Sequence, residues 1–243
     1  YEPIEPILTV SHAMAEQSFV LPSRCFRLND LETGLLESEV QLNGELYIRG
    51  QEHFYLEGQI SVAIPVEDGG VEIYTSSQNP SEIQSAAARV LAISKHNVQV
   101  SVRRMGGAFG GKETQAAPLA CLAALFAVRN GRAAKYRMPR KDDMIQTGKR
   151  HDFQSRYQVG FKGSGELTGA RISLEALCGY SADLSEGIVD RAMFHADNAY
   201  FLANAEITGY LCRTNTVSNT AFRGFGGPQG MLATEAMLDD IAR

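Results

Sequence analysis

The chain has 243 residues, of which 44% are hydrophobic and 21% charged, enough for one large domain or two small ones around a sizeable core. A net charge of −5 without a basic run argues against nucleic-acid binding through a charged face. No apolar stretch reaches the length of a membrane span, the longest (116–128) being interrupted by Pro118 and ended by Arg129.

Residues 1–36, with Pro3, Pro6 and Pro22, read as an extended, loop-rich lead-in, and a single domain is expected over 37–243. Alternation of Val40, Leu42, Leu46 and Ile48, then of Ile60, Val62 and Ile64, predicts two strands. The turn residues Glu67 to Gly70 lead to a third strand, "VEIYTSS". A helix follows, with Asn79 as N-cap, Pro80 at its first position, Glu82 in the capping-box place, and Ile83, Ala87, Val90 and Leu91 as its apolar face. The strand "VQVSVRRM" then runs into "GGAFGGKE" and a helix that is apolar nearly all round, stops near Gly131 and is expected to be buried. Next come a hairpin around "KGSGE", a helix in "EGIVDRAMFHADN", a strand in "NAEITGYLCRTN", a second glycine-rich joint and a final helix. The layout is α+β, mixed sheets with packed helices, and a strand–glycine loop–helix unit occurs twice, at 98–129 and 205–242.

The four cysteines (Cys25, Cys121, Cys178, Cys212) form no C-x-x-C pair, which argues against a zinc site or iron–sulfur cluster in this chain and fits free, buried thiols in a reducing cytosol. No initiator methionine or signal peptide opens the sequence, and the last amphipathic stretch shows no stop signal. It reads as a piece of a longer protein whose active site is completed elsewhere.

The first glycine joint contains Gly106-x-x-x-x-Gly111-Lys112, the frame of a nucleotide-binding P-loop. That site needs a hydroxyl after the lysine to bind magnesium. Glu113 stands there instead, and Thr114 is one residue late. The glycines still point to a ligand that backbone N–H groups approach closely.

Four segments, "SSQNPSEIQ", "RRMGGAFGGKE", "DRAMFHADN" and "TNTVSNTAFRGFGGPQG", together with "GQEHFYLEGQ", closely resemble the molybdenum hydroxylases, the family of xanthine dehydrogenase and aldehyde oxidase. The resemblance runs along almost the whole chain. It implies a molybdenum pyranopterin (molybdopterin) cofactor whose metal takes its ligands from the pterin, with protein groups arranged around it. Gln78, Phe109, Gly110 and Arg223 match the positions that face this cofactor, with Gln78, Phe109 and Arg223 next to the molybdenum. Glu113 and Arg191 match the pair that binds and activates a purine at its two ends, and Phe225 an aromatic ring packing on the heterocycle. On this reading a water-derived oxygen enters hypoxanthine or xanthine on the way to urate and a hydride passes to the molybdenum centre. Arg191 stabilises the charge that spreads into the purine oxygen.

The resemblance further implies FAD and 2Fe-2S clusters on other domains or subunits, a homodimer of the whole enzyme in the cytoplasm, and a glutamate base lying beyond Arg243. The piece by itself is then expected to be inactive. An aldehyde- or other heterocycle-oxidising relative, and an inert structural module, remain alternatives.

Overall fold

The alternating residues of 40–48 form β2 (Val40–Ile48), which pairs antiparallel with β7 (Phe153–Phe161) from Val40 opposite Phe161 to Ile48 opposite Phe153. The structure is a computed structural model describing residues 1–243, and it divides into two units. The first takes in 1–51, 150–219 and 224–243; the second 52–149 and 220–223.

In the first unit a five-stranded sheet runs β1 (Phe19–Leu28), β9 (Ala205–Arg213), β8 (Leu167–Gly179), β7, β2. Only β8 and β9 pair in parallel, across the connection that holds α6 (Ser185–Phe194). A helical crossover is what joining parallel neighbours requires. Strand β7 buries Phe153, Ser155, Tyr157 and Val159, every second residue, as a one-sided strand must. Phe153, Tyr157 and Val159 join Ile172, Leu174, Val189, Leu211 and Met237 in the core beneath α6 and α7 (Gly227–Ala242).

The segment expected to be merely extended also carries α1 (Val10–Ala15) and α2 (Leu31–Leu36), capped by the side chains of Thr9 and Asp30. Helices this short lack a readable apolar period, and their caps are the only signal.

The second unit's sheet runs β5 (Val98–Ser101), β4 (Val71–Thr75), β3 (Ile60–Pro65), β6 (Ala134–Arg137). Strands β4 and β5 are parallel, joined through α3 (Pro80–Leu91). Asn79 caps α3 as expected, its side chain accepting from the Glu82 N–H. The reciprocal bond differs: Glu82 takes the Asn79 side-chain amide, and the Asn79 N–H goes to Ser77 Oγ. Ile83 and Ala87 are buried, but Val90 is half exposed.

The buried face of α4 (Ala116–Asn130) is made largely of alanine, which lets the helix lie close to the sheet. It is not buried all round, for Leu122 and Phe126, four residues apart, face out. Gly131 ends it in the left-handed conformation. Strand β6 and helix α5 (Arg140–Gln146), both short, have no counterpart in the sequence reading. Of the thiols, Cys121, Cys178 and Cys212 are free and buried, whereas Cys25 is free but exposed.

Candidate cofactor-binding site

Strand β4 hands the chain to α3 through Ser76, Ser77 and Gln78. The Gln78 N–H donates to the Lys112 carbonyl at 2.9 Å. Its side-chain oxygen accepts the N–H of Gly110 at 2.9 Å and of Lys112 at 3.4 Å. Two N–H donors fix which end of the amide is oxygen, so the NH₂ end, a pure donor, is left to the exposed side.

The loop that supplies these N–H groups is held in unusual backbone. Phe109 has φ +53° and Gly110 φ +102°, both left-handed. A Cβ on Gly110 would lie 2.5 Å from the Ala221 carbonyl oxygen, so this position admits only glycine. The 220–223 segment is laced to the loop through the Arg223 N–H, which donates to the Phe109 carbonyl at 2.9 Å. His53 Nε2 lies 2.7 Å from the Ala221 oxygen and carries the proton there, because a carbonyl only accepts. The His53 ring packs on Phe222 at 4.8 Å between centroids, and burial lowers its pKa from the ordinary histidine value. The side chains of Phe109 and Arg223 are exposed, and Glu113 is half-buried in the turn ahead of α4.

Lys112 excludes the P-loop reading. It is fully buried and turns inward, its Nζ donating to the Glu57 carbonyl at 2.7 Å, Ser76 Oγ at 2.8 Å and Glu57 Oε2 at 3.3 Å. The Tyr55 ring lies 4.6 Å from the ammonium. Burial lowers the Lys112 pKa against the opposing pull of Glu57. Burial would raise the Glu57 carboxyl, but hydrogen bonds from Ser76 and the Gly106 N–H, with the Lys112 charge, hold it below the ordinary range.

In the first unit, Phe225 repeats the left-handed Phe-Gly backbone, with φ +47° followed by Gly226 at +89°. Its ring lies 3.2 Å from where a Cβ on Gly187 would stand, so that glycine of α6 makes room for it. Gly187, Arg191 and His195 follow at intervals of four and so share one side of the helix, continued into its cap. The exposed Arg191 has no carboxylate partner; its Nε donates to His195 Nε2 at 3.4 Å. Helix α6 is tied to β1 by Arg24, which pairs with Glu186 and Asp190.

The candidates therefore fall into two sets. Gln78, Phe109, Gly110, Glu113 and Arg223 belong to the second unit, Arg191 and Phe225 to the first. In the second unit the outward amide of Gln78 and the exposed Arg223 are donors of the kind an oxygen-rich, phosphate-bearing group takes. No group of three or more His, Cys, Asp or Glu side chains is placed to hold a metal ion. Of the residues that set this loop, Glu57, Ser76 and His53 escape sequence reading, and Lys112 is read there only as a candidate phosphate contact. Each lies in or beside a quoted motif, but a strut between segments leaves no periodicity to read.

Residues 14–243 match the family model described as the molybdopterin cofactor-binding domain. The whole chain is 44% identical to xanthine dehydrogenase/oxidase of Gallus gallus and 39% identical to a nicotinate hydroxylase of Emericella nidulans, spanning 18% of the length of each. Among solved structures, the aldehyde oxidoreductase of Desulfovibrio desulfuricans matches with a TM-score of 0.90 at 20% identity, over 99% of this chain and 28% of that one. That likeness concerns the fold.

Proposed function

Since the chain belongs to the molybdopterin cofactor-binding domain family, we propose that it forms part of the molybdenum site of an enzyme that hydroxylates hypoxanthine and xanthine. The observation that carries the cofactor assignment is the Gln78 amide, its oxygen held by the Gly110 and Lys112 N–H groups and its NH₂ left as an outward donor. When bound, the molybdenum pyranopterin supplies the oxygen-inserting, hydride-accepting centre. Gln78 would offer its NH₂ to that cofactor, and Phe109, Gly110 and Arg223 would line it.

For the substrate, Glu113 fixes the entering edge of the purine by hydrogen bonding. Arg191 meets the purine oxygen, where charge collects in the transition state. Its lack of a carboxylate partner supports this role, for a guanidinium already paired would add less. Phe225 packs on the ring face. The base that starts the reaction, FAD and the 2Fe-2S clusters belong, on this reading, to other parts of a dimeric, cytoplasmic enzyme. The nicotinate hydroxylase relative supports a second reading, a different heterocycle or an aldehyde as substrate.

The test is Arg191→Met in the complete enzyme. Losing one charge-assisted contact at the developing charge costs about 2–4 kcal/mol of barrier. We therefore expect kcat/KM for xanthine to fall on the order of 30- to 1000-fold. A small aldehyde lacks the purine oxygen and should lose far less. Equal losses for both substrates would remove Arg191 from the purine site.

A further inference from the structure

The lysine of the glycine loop contacts no phosphate site, yet it is the most thoroughly bonded residue there. We propose that Lys112 is a positioning residue for Gln78, setting the height of the glycine loop against segment 76–78 and so the direction in which the Gln78 amide donates. This rests on the reading of Gln78 as cofactor-facing.

The geometry is a closed loop of contacts. The Lys112 peptide grips Gln78 on two sides, its carbonyl accepting the Gln78 N–H and its N–H donating to the Gln78 side-chain oxygen. The carbonyl also accepts from Ser77 Oγ at 3.2 Å. The Lys112 ammonium, meanwhile, bonds Ser76 Oγ, two residues before Gln78, and the Glu57 carbonyl and carboxylate. An ammonium has three protons, and here each has an acceptor. Glu57 closes the circuit by accepting the Gly106 N–H at 2.9 Å, at the loop's entry. One residue thus fixes the loop, the strand end and the amide between them. A shorter or uncharged side chain would free the loop to shift by a fraction of an ångström, enough to misdirect a donor that acts on a reacting centre.

A purely structural lysine would lower stability and cofactor content. A positioning lysine does something else: its effect disappears when the residue it positions is gone. The experiment is a double-mutant cycle in the complete enzyme, with turnover expressed per bound molybdenum. We expect Lys112→Met to lower kcat on the order of 10- to 100-fold, for purine and aldehyde alike, with KM nearly unchanged. In a Gln78→Ala background the same change should cost less than about twofold more.

Ser76→Ala keeps the charge and removes one acceptor. It should show a smaller loss with the same dependence on Gln78, and it decides the matter if Lys112→Met yields no loaded protein. Additive losses, or wild-type kcat per molybdenum in Lys112→Met, would overturn the proposal. If Gln78→Ala itself keeps full turnover per molybdenum, the reading of Gln78 fails and takes this inference with it. If Gln78→Ala is impaired and Lys112→Met is not, Lys112 alone is misassigned.

Discussion

Gly110 shows how a single residue couples backbone geometry to a site. Its φ is +102°, and the Ala221 oxygen lies 2.5 Å from where a Cβ would stand, which leaves no room for a side chain. Gly110→Ala combines a left-handed alanine with a backbone clash, so it should destabilise by more than about 1 kcal/mol and lower the melting temperature. It should also reduce cofactor content, because the Gly110 N–H holds Gln78. A variant with unchanged melting temperature and molybdenum content would show that the loop tolerates the shift. At this scale the sequence is informative wherever a motif marks the residue. Gln78, Phe109, Gly110, Glu113, Arg191, Arg223 and Phe225 all stand out through motif resemblance. Lys112 stands out for the wrong reason: the spacing Gly-x-x-x-x-Gly-Lys does not reveal whether a lysine faces a ligand or the core. His53 carries no signal, since its partners, Ala221 and Phe222, lie far away in sequence.

Among the elements, those marked by alternation, caps or glycine stops are legible, the short strands β3, β4 and β5 included, whereas the ten-residue β1 is not. Strands β2, β7, β8 and β9 and helices α3, α4, α6 and α7 follow from alternation, capping and glycine stops. Helices α1, α2 and α5 and strand β6 span 4–7 residues each, too few for a period to show. For α4 the apolar composition overstates burial, because Leu122 and Phe126 face out. His53, buried beside segment 220–223, is the group through which this region is expected to respond to pH. Burial lowers its folded pKa below the ordinary value of 6.5. Between the two values the unfolded chain binds more protons, so stability rises with pH across that window. The contribution is full above the unfolded pKa and is lost as pH falls through the folded one. Thermal melts between pH 7.5 and 5 should therefore show a declining melting temperature, and His53→Gln should flatten that decline. An equal slope in both proteins would assign the acid sensitivity to other groups.

At the level of the whole molecule, the α+β class and the molybdopterin-binding family agree with the sequence reading. What the complete enzyme oxidises is a proposal, because the chain spans 18% of the length of relatives that include both a xanthine dehydrogenase/oxidase and a nicotinate hydroxylase. The proposal of a purine rests on the family positions that Glu113 and Arg191 match. The most direct measurement is the specificity of the complete enzyme, as kcat/KM per bound molybdenum for xanthine, nicotinate and a small aromatic aldehyde. The account predicts that xanthine is preferred and is converted to urate. Background turnover of xanthine by a fully loaded enzyme, with nicotinate or the aldehyde oxidised efficiently, would contradict it.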